Sequence, residues 1–504
     1  MRNIASRTWL YLLRGASLGL IIASISLTFL QWIQYQKLKL NFPPAQIIAG
    51  VPVGGTDRQT AADRLRQAYG TPIEIHYGTS TIQASPQDLG FQLDIDAMLS
   101  AAENQQDTFV KLAGFWKYLW HPSDLMNALD VPLRASVDET AIQNYLKDVI
   151  APRYTQPPTA PQPAMESLSW IAGHPGISFD MQQAIEDIKN ALFTLNQRKV
   201  TVLLVQEPPP PPDREKLQFF LQTVIDRAAF DGLVEIYLSN LQSGEKLHFA
   251  YQNGTNPPAD IAFTAASTIK IPIMISVFRR LEPPIRDDIQ TLLNLMISES
   301  ENEASDKLME TVINPVRGPL MVTEDMRALG LNNTFLAGYF YMDAPLLERY
   351  HTPANTRTDI DLKPDVYNQT TPAEMGTVLE AIYQCAETNS GKLVETFIGE
   401  ITQDECREMI GLLVSDKLPY LITAGLPEGT RIGHKHGWIE EADGLLHTMS
   451  DGAIIYSQGG NYVLAIYMYH PKHLIFDQGN QLMANLSTVI YNYFNLTTSN
   501  ANGS

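Results

Sequence analysis

The pattern of apolar and polar positions changes character several times along the chain. From Gly15 to Gln36, GASLGLIIASISLTFLQWIQYQ, no residue is charged, and the run is long enough to cross a bilayer as a helix, which takes about 20 residues. Its apolar core continues into FLQWIQYQKLKL without a small-residue cleavage pattern, so a retained transmembrane helix over 15–36 is expected, with Trp32 and Tyr35 at the interface. Arg2, Arg7 and Arg14 precede it while Lys37 and Lys39 follow. That bias favours a short cytoplasmic tail, 1–14, with the bulk of the chain outside a single-pass cell-membrane anchor.

Behind the anchor, IIAGVPVGGTDRQTAADRLRQAYGTPIEIHYGTSTIQASPQDLGFQLD reads as a strand, a Gly-Gly turn, a helix and a hairpin. Thr56 or Asp57 caps the helix, whose Ala61, Leu65 and Ala68 fall at helical spacing. LRASVDETAIQNYLKDVI and GISFDMQQAIEDIKNALFTLNQRKVTVLLVQ each follow a short extended piece with a helix, separated by a Pro-rich stretch near Pro157 to Pro163. Two small α+β modules are expected, 40–135 and 136–206. Pro208 to Pro212 then form a stiff polyproline linker, 207–212.

The last region, 213–496, opens with an amphipathic helix, DREKLQFFLQTVIDRAAF, and two alternating strands around a Ser-Gly turn, GLVEIYLSNLQSGEKLHFAY. It closes with another hairpin, GAIIYSQGGNYVLAIYMYH, and a helix, FDQGNQLMANLSTVIYNYF. With helices between, the strands of the two ends must meet in one sheet, which predicts an α/β sandwich with a helical insertion.

Composition narrows the function. The chain has 504 residues, enough for about two to four domains. Its 36 Lys+Arg against 55 Asp+Glu leave a net charge of -19, which repels phosphate backbones and excludes nucleic acid as a partner. The two cysteines, Cys385 and Cys406, lack metal-ligand spacing. They are read either as free core thiols or, outside the cytoplasm, as a disulfide between neighbouring helices. His434 and His436 on a strand would point the same way, as a metal pair would, but no further ligand cluster is tied to them and no metal or cofactor is expected.

Serine followed three residues later by lysine occurs twice. Ser243 and Lys246 lie in a hairpin turn and carry no chemistry. Ser267 stands where a loop enters FTAASTIKIPIMISVF, a segment apolar all round like a buried helix, with Lys270 one turn on and facing the same way. A serine hydroxyl needs a neighbour to take its proton, and burial lowers a lysine's pKa enough to do so. Downstream, LMISESENEASDKLM carries Ser300, Glu301 and Asn302 in a polar knot, and RIGHKHGW supplies Lys435 and Gly437.

The ordered set Ser267-x-x-Lys270, Ser300-Glu301-Asn302 and Lys435-His436-Gly437 resembles the S-x-x-K, S-D-N and K-T-G motifs of class A β-lactamases and penicillin-binding proteins. NQTTPAEMGTVLEAIY resembles the threonine-rich turn and helix of that family, and the resemblance spans about 213–496. It implies an antiparallel sheet flanked by helices plus an all-helical subdomain, and a serine hydrolase acting on a β-lactam amide or a D-Ala-D-Ala peptide. Ser267 would be acylated, Lys270 would exchange its proton, Ser300 would pass a proton to the leaving nitrogen and Asn302 would position Lys270 and substrate. Lys435 would supply charge for the substrate carboxylate, with His436, Gly437 and Trp438 also at the substrate. The N–H groups of Ser267 and Trp438 would form the oxyanion hole. GVPVGG and LGFQLD resemble the peptidoglycan-binding domain found beside VanW-type and cell-wall transpeptidase domains, which implies contact with cell-wall glycan or a stalk.

Besides Glu301, a conservative replacement of the motif's aspartate, the match departs from the family in two places. No E-x-x-L-N motif lies between Leu331 and Thr370, where Glu348 is the sole glutamate and the one candidate deacylation base. His436 stands where the family has a threonine, an imidazole that can titrate near neutral pH. A membrane-anchored β-lactamase-like hydrolase with slow β-lactam turnover is therefore the leading expectation. A penicillin-binding D,D-carboxypeptidase or transpeptidase and a non-catalytic wall-binding protein are its alternatives.

Overall fold

The computed structural model describes residues 4–120 and 130–496. An N-terminal helix, Ile4–Leu40, includes a stretch, Trp9–Lys37, long and apolar enough to cross a membrane, and none of its most apolar window is buried against protein. Beyond it the chain divides into two compact units, one containing 1–159 and 175–209, the other 160–174 and 210–504.

In the first unit, Lys199–Val202 pairs in parallel with Ile73–Tyr77, which pairs antiparallel with Ser80–Ala84. Asp57 caps the helix Arg58–Tyr69 by accepting from Thr60 N–H, one of the two caps the sequence offered. Leu65 of that helix, Ile73, Ile75, Val200, Val202 and Ile188 share one apolar core. The expected modules 40–135 and 136–206 are thus not separate: a strand from the end of the second completes the sheet begun in the first. A three-stranded sheet buries apolar side chains that a lone hairpin leaves wet.

The expected second module also loses its Pro-rich segment to the other unit. The hairpin Gln162–Ala164 with Ser169–Ile171 carries Trp170, which packs edge-on against Phe220 and Tyr493 and donates from Nε1 to Val489 O (3.3 Å).

The second unit is built on a five-stranded antiparallel sheet. Its strands are β1 (Leu233–Asn240), β2 (Lys246–Tyr251), β3 (Arg431–Glu440), β4 (Leu446–Tyr456) and β5 (Tyr462–Tyr469). The spatial order is β2-β1-β5-β4-β3, so the two ends of the domain meet where β1 pairs with β5. Helices α1 (Arg214–Arg227) and α7 (Phe476–Phe494) cover one face through a core that includes Phe220, Leu221, Leu486 and Ile490. The other face meets α5 (Pro372–Thr388) and the helical insertion, which includes α2 (Lys270–Phe278), α3 (Asp287–Ser298), α4 (Asn302–Leu308) and α6 (Gln403–Ser415). Every residue of α2 is buried, as its lack of a polar face requires.

Cys385 of α5 and Cys406 of α6 are joined by a disulfide, deciding between the two readings of the cysteines. The bond closes a loop of 21 residues, which by chain entropy alone stabilises by about 3 kcal/mol. Replacing both cysteines by serine is expected to lower the stability of this unit by that amount, measured as a shift in its urea midpoint. An unchanged midpoint would show that the helices hold without the link.

Candidate active site

Ser267 lies in a single 3₁₀ turn, Ala266–Ile269, that runs directly into α2. Thr268 holds the turn by donating from Oγ1 to Ala265 O (2.6 Å) and by bonding Tyr467 OH of β5 (2.8 Å). Ala266 has φ +49° and Ser300 has φ +60°, left-handed conformations that cost non-glycine residues about 1–3 kcal/mol and cluster at functional sites. Both flank the same amine.

Lys270 Nζ lies 3.1 Å from Ser267 Oγ, 3.1 Å from Ser300 Oγ, 2.5 Å from Ser300 O and 2.9 Å from Asn302 Oδ1. The carbonyl of Ser300 and the Asn302 oxygen can only accept. A neutral Lys270 therefore gives its two N–H groups to them and keeps its lone pair for a serine hydroxyl. Burial, followed by the charge of Lys435, pulls the Lys270 pKa down to about 7, against the opposing pull of Asp306 and Glu301. The amine is thus poised to take a proton near neutrality.

The four residues Ser267, Lys270, Ser300 and Asn302 are brought together as their motifs led one to expect. Lys435 is not at the substrate surface. It is fully buried, its ammonium 3.5 Å from Asp416 Oδ2, and burial lowers its pKa while Asp416 and Asp451 oppose the shift. His436 Nδ1 lies 3.0 Å from the same oxygen but is misaligned for a hydrogen bond, and its ring stacks on Trp438 with centroids 4.7 Å apart. His434 Nδ1 lies 3.1 Å from Asp451 Oδ1 and its Nε2 3.9 Å from Asp416. Lys435 and His436 thus share Asp416 while His434 is held by Asp451, and the buried Lys435 ammonium has the counter-charge it needs. Although burial alone would raise it, Asp416 is held at about 2 by His436 and the charges of His434 and Lys435.

Gly437 sets the approach of β3 to the serine. A Cβ there would lie 2.9 Å from Ala265 O and 3.1 Å from Ser267 N, closer than packing allows. Trp438 follows it and lines an open cavity of about 490 Å³ against Ser267, together with Asn302, Tyr339, Phe340 and Asn368. Asp306 shapes this wall by accepting the Phe340 N–H (2.9 Å).

Glu348 does not reach the cavity. It is exposed, and its Oε2 accepts from Tyr350 OH (3.2 Å). The lining carboxylates are Asp343 and Asp365, which no motif in the sequence singled out. Asp416 was equally invisible, since only the packing of α6 beside β3 brings it under Lys435. The first serine–lysine match is structural: Lys246 pairs with Glu380 (2.9 Å), and Ser243 Oγ accepts from Glu245 N–H in the turn. The cluster Glu235, His248 and Asp260 has its central carboxylate already filled. Glu235 meets His248 Nε2 (2.8 Å) and accepts the N–H groups of Asp260 and Ile261 (2.9 and 3.1 Å).

No curated protein matches the chain. A variant of PBP-A, solved as an acyl-enzyme complex with penicillin-G, is similar at 20% identity and a TM-score of 0.40, over 56% of this chain and 98% of that one. A β-lactamase from Sphaerobacter thermophilus is similar at 21% identity and a TM-score of 0.39, over 54% and 96%. One from Desulfarculus baarsii is similar at 17% identity and a TM-score of 0.40, over 56% and 98%. The matched family range starts after Ser267 and Lys270 and takes in Ser300, Asn302 and Lys435. Residues 280–494 match the model of the beta-lactamase enzyme family.

Proposed function

We propose that the domain spanning 213–496 is a serine hydrolase that takes an acyl group from a β-lactam or a cell-wall peptide onto Ser267. The observation that carries this reading is the position of Lys270 Nζ, 3.1 Å from both Ser267 Oγ and Ser300 Oγ, with two acceptors claiming its N–H groups. In acylation Ser267 Oγ attacks the carbonyl carbon and its proton passes to the Lys270 lone pair. Ser300, bonded to the same amine, delivers a proton to the leaving nitrogen. The N–H groups of Ser267 and Trp438 are the donors for the developing oxyanion, and the missing Cβ at Gly437 leaves β3 close beside the serine. Lys435 acts from beneath, its charge keeping Lys270 near neutrality.

Release of the acyl group is slow in this reading. No glutamate lines the cavity among the described residues, and Glu348 lies outside it. That favours a penicillin-binding type of reaction, carboxypeptidase or transpeptidase, over rapid β-lactam hydrolysis. The apolar N-terminal helix and the disulfide support a membrane-anchored protein whose catalytic domain lies outside the cytoplasm. The first unit would then serve as a stalk or a wall-glycan contact.

Saturating fluorescent penicillin is expected to label one site per chain, mapped by mass spectrometry to the peptide containing Ser267 and absent in Ser267→Ala. Rapid hydrolysis of a chromogenic cephalosporin, lost in Ser267→Ala, would rule out slow release. The acylation rate should fall about tenfold per pH unit below pH 7 and level off above it, because Lys270 must be neutral to accept the proton. A flat profile from pH 5 to 8 would remove Lys270 as the base. Gly437→Ala should slow acylation by about 10²-fold, by forcing β3 away from Ser267. A thermal melt within a few degrees of the parent would separate that effect from misfolding.

A further inference from the structure

The lack of a glutamate does not by itself account for slow release, because a base stays in place after acylation. Once Ser300 has delivered a proton to the leaving nitrogen, Lys270 is neutral again, and its Nζ lies 3.1 Å from Ser267 Oγ in the free protein. A water that reached this amine would lose a proton to it and attack the ester. The structure puts carbon there instead: Lys270 Nζ lies over the Phe340 ring, 5.7 Å from its centroid. Ser267 Oγ, Ser300 O, Ser300 Oγ and Asn302 Oδ1 crowd the amine within 3.1 Å, and Lys270 is fully buried.

The backbone that carries the ring is pinned at two successive residues. The Phe340 N–H donates to both Asp306 oxygens (2.9 and 3.1 Å), and the Tyr339 hydroxyl donates to Asn314 O (3.1 Å). Three residues earlier, the Ala337 N–H donates to Tyr367 O (2.7 Å). Phe340 is itself half-buried and lines the cavity with Ser267 and Asn302. One fixed residue thus meets both the open space and the amine.

Resting on the acyl-enzyme reading above, we propose that Phe340 is the specificity-determining residue of acyl release: its ring denies water the Lys270 amine and so keeps the acyl group on Ser267. In the step that it blocks, the water oxygen bonds to the carbonyl carbon and the Ser267 Oγ–C bond breaks. One water proton passes through Lys270 to Ser267 Oγ, which leaves a carboxylic acid and the free serine.

The lifetime of the penicillin adduct on Ser267, followed by mass on the full chain in detergent after free penicillin is removed, tests the inference. The rate of release is divided by the rate of acylation measured within the same variant. Phe340→Ala should raise that ratio by about 10²-fold, the low end of what a positioned base contributes. Phe340→Leu keeps most of the bulk and should hold the ratio near that of the parent, which separates exclusion of water from a general loosening of the wall. Where alanine prevents labelling, Phe340→Val decides in its place and should release faster than Phe340→Leu. A ratio unchanged in the smaller variant, or raised equally by leucine, would overturn the shielding role and leave the acyl-enzyme reading standing. A parent chain never labelled at Ser267 would overturn both.

Discussion

Two lysine side chains, Lys270 and Lys435, are fully buried and repel one another, and the domain is organised around that constraint. An ammonium removed from water without compensation costs far more than a fold can spare. The two are accommodated differently. Lys270 approaches neutrality, at about 7, among oxygen acceptors. Lys435 takes the Asp416 carboxylate, which His434 and His436 approach as well. Because Lys435 is one cause of the low Lys270 pKa, the structural ion cluster below the site and the chemistry above it are one electrostatic system. Asp416 sits just past the end of α6, and α6 is tied to α5 by the disulfide. The counter-charge is therefore carried at the end of a helix that is covalently tied to α5.

Local rules are broken around Ser267 and kept elsewhere. The left-handed Ala266 and Ser300 hold the serine turn and the polar knot on either side of Lys270. The glycine at 437 lets an edge strand run against that turn. Strained residues persist only where the surrounding packing over-determines them. Here that packing is the wholly buried α2 and the bond from Thr268 to Tyr467 in the sheet. The scaffold thus bears the cost of holding a half-buried Ser267 beside Lys270.

The pattern of apolar residues identified the N-terminal apolar helix, the strands at both ends of the last region and their meeting in one sheet. Those features depend on periodicity, which is local. It misplaced the boundaries in the first unit, where Val200 and Val202 complete a sheet begun at Ile73. Strand pairing at long range leaves no periodic trace. Trp170 was likewise passed over within a Pro-rich stretch, because what makes it a core residue is a helix more than 300 positions away.

For the site, the sequence singled out Ser267, Lys270, Ser300 and Asn302 as candidates through the resemblance of their order and spacing to the family's motifs. Serine and lysine one turn apart must share a helix face, and a polar knot flanked by apolar helices has few places to go. What only the tertiary structure decided is the state of each charge. RIGHKHGW reads as a strand with a lysine facing a substrate, yet Lys435 is spent on Asp416, Glu348 lies outside the cavity, and Asp343 and Asp365 line it. Burial and counter-charge arise from residues distant in the chain, so they are properties of the packed domain and not of any motif within it.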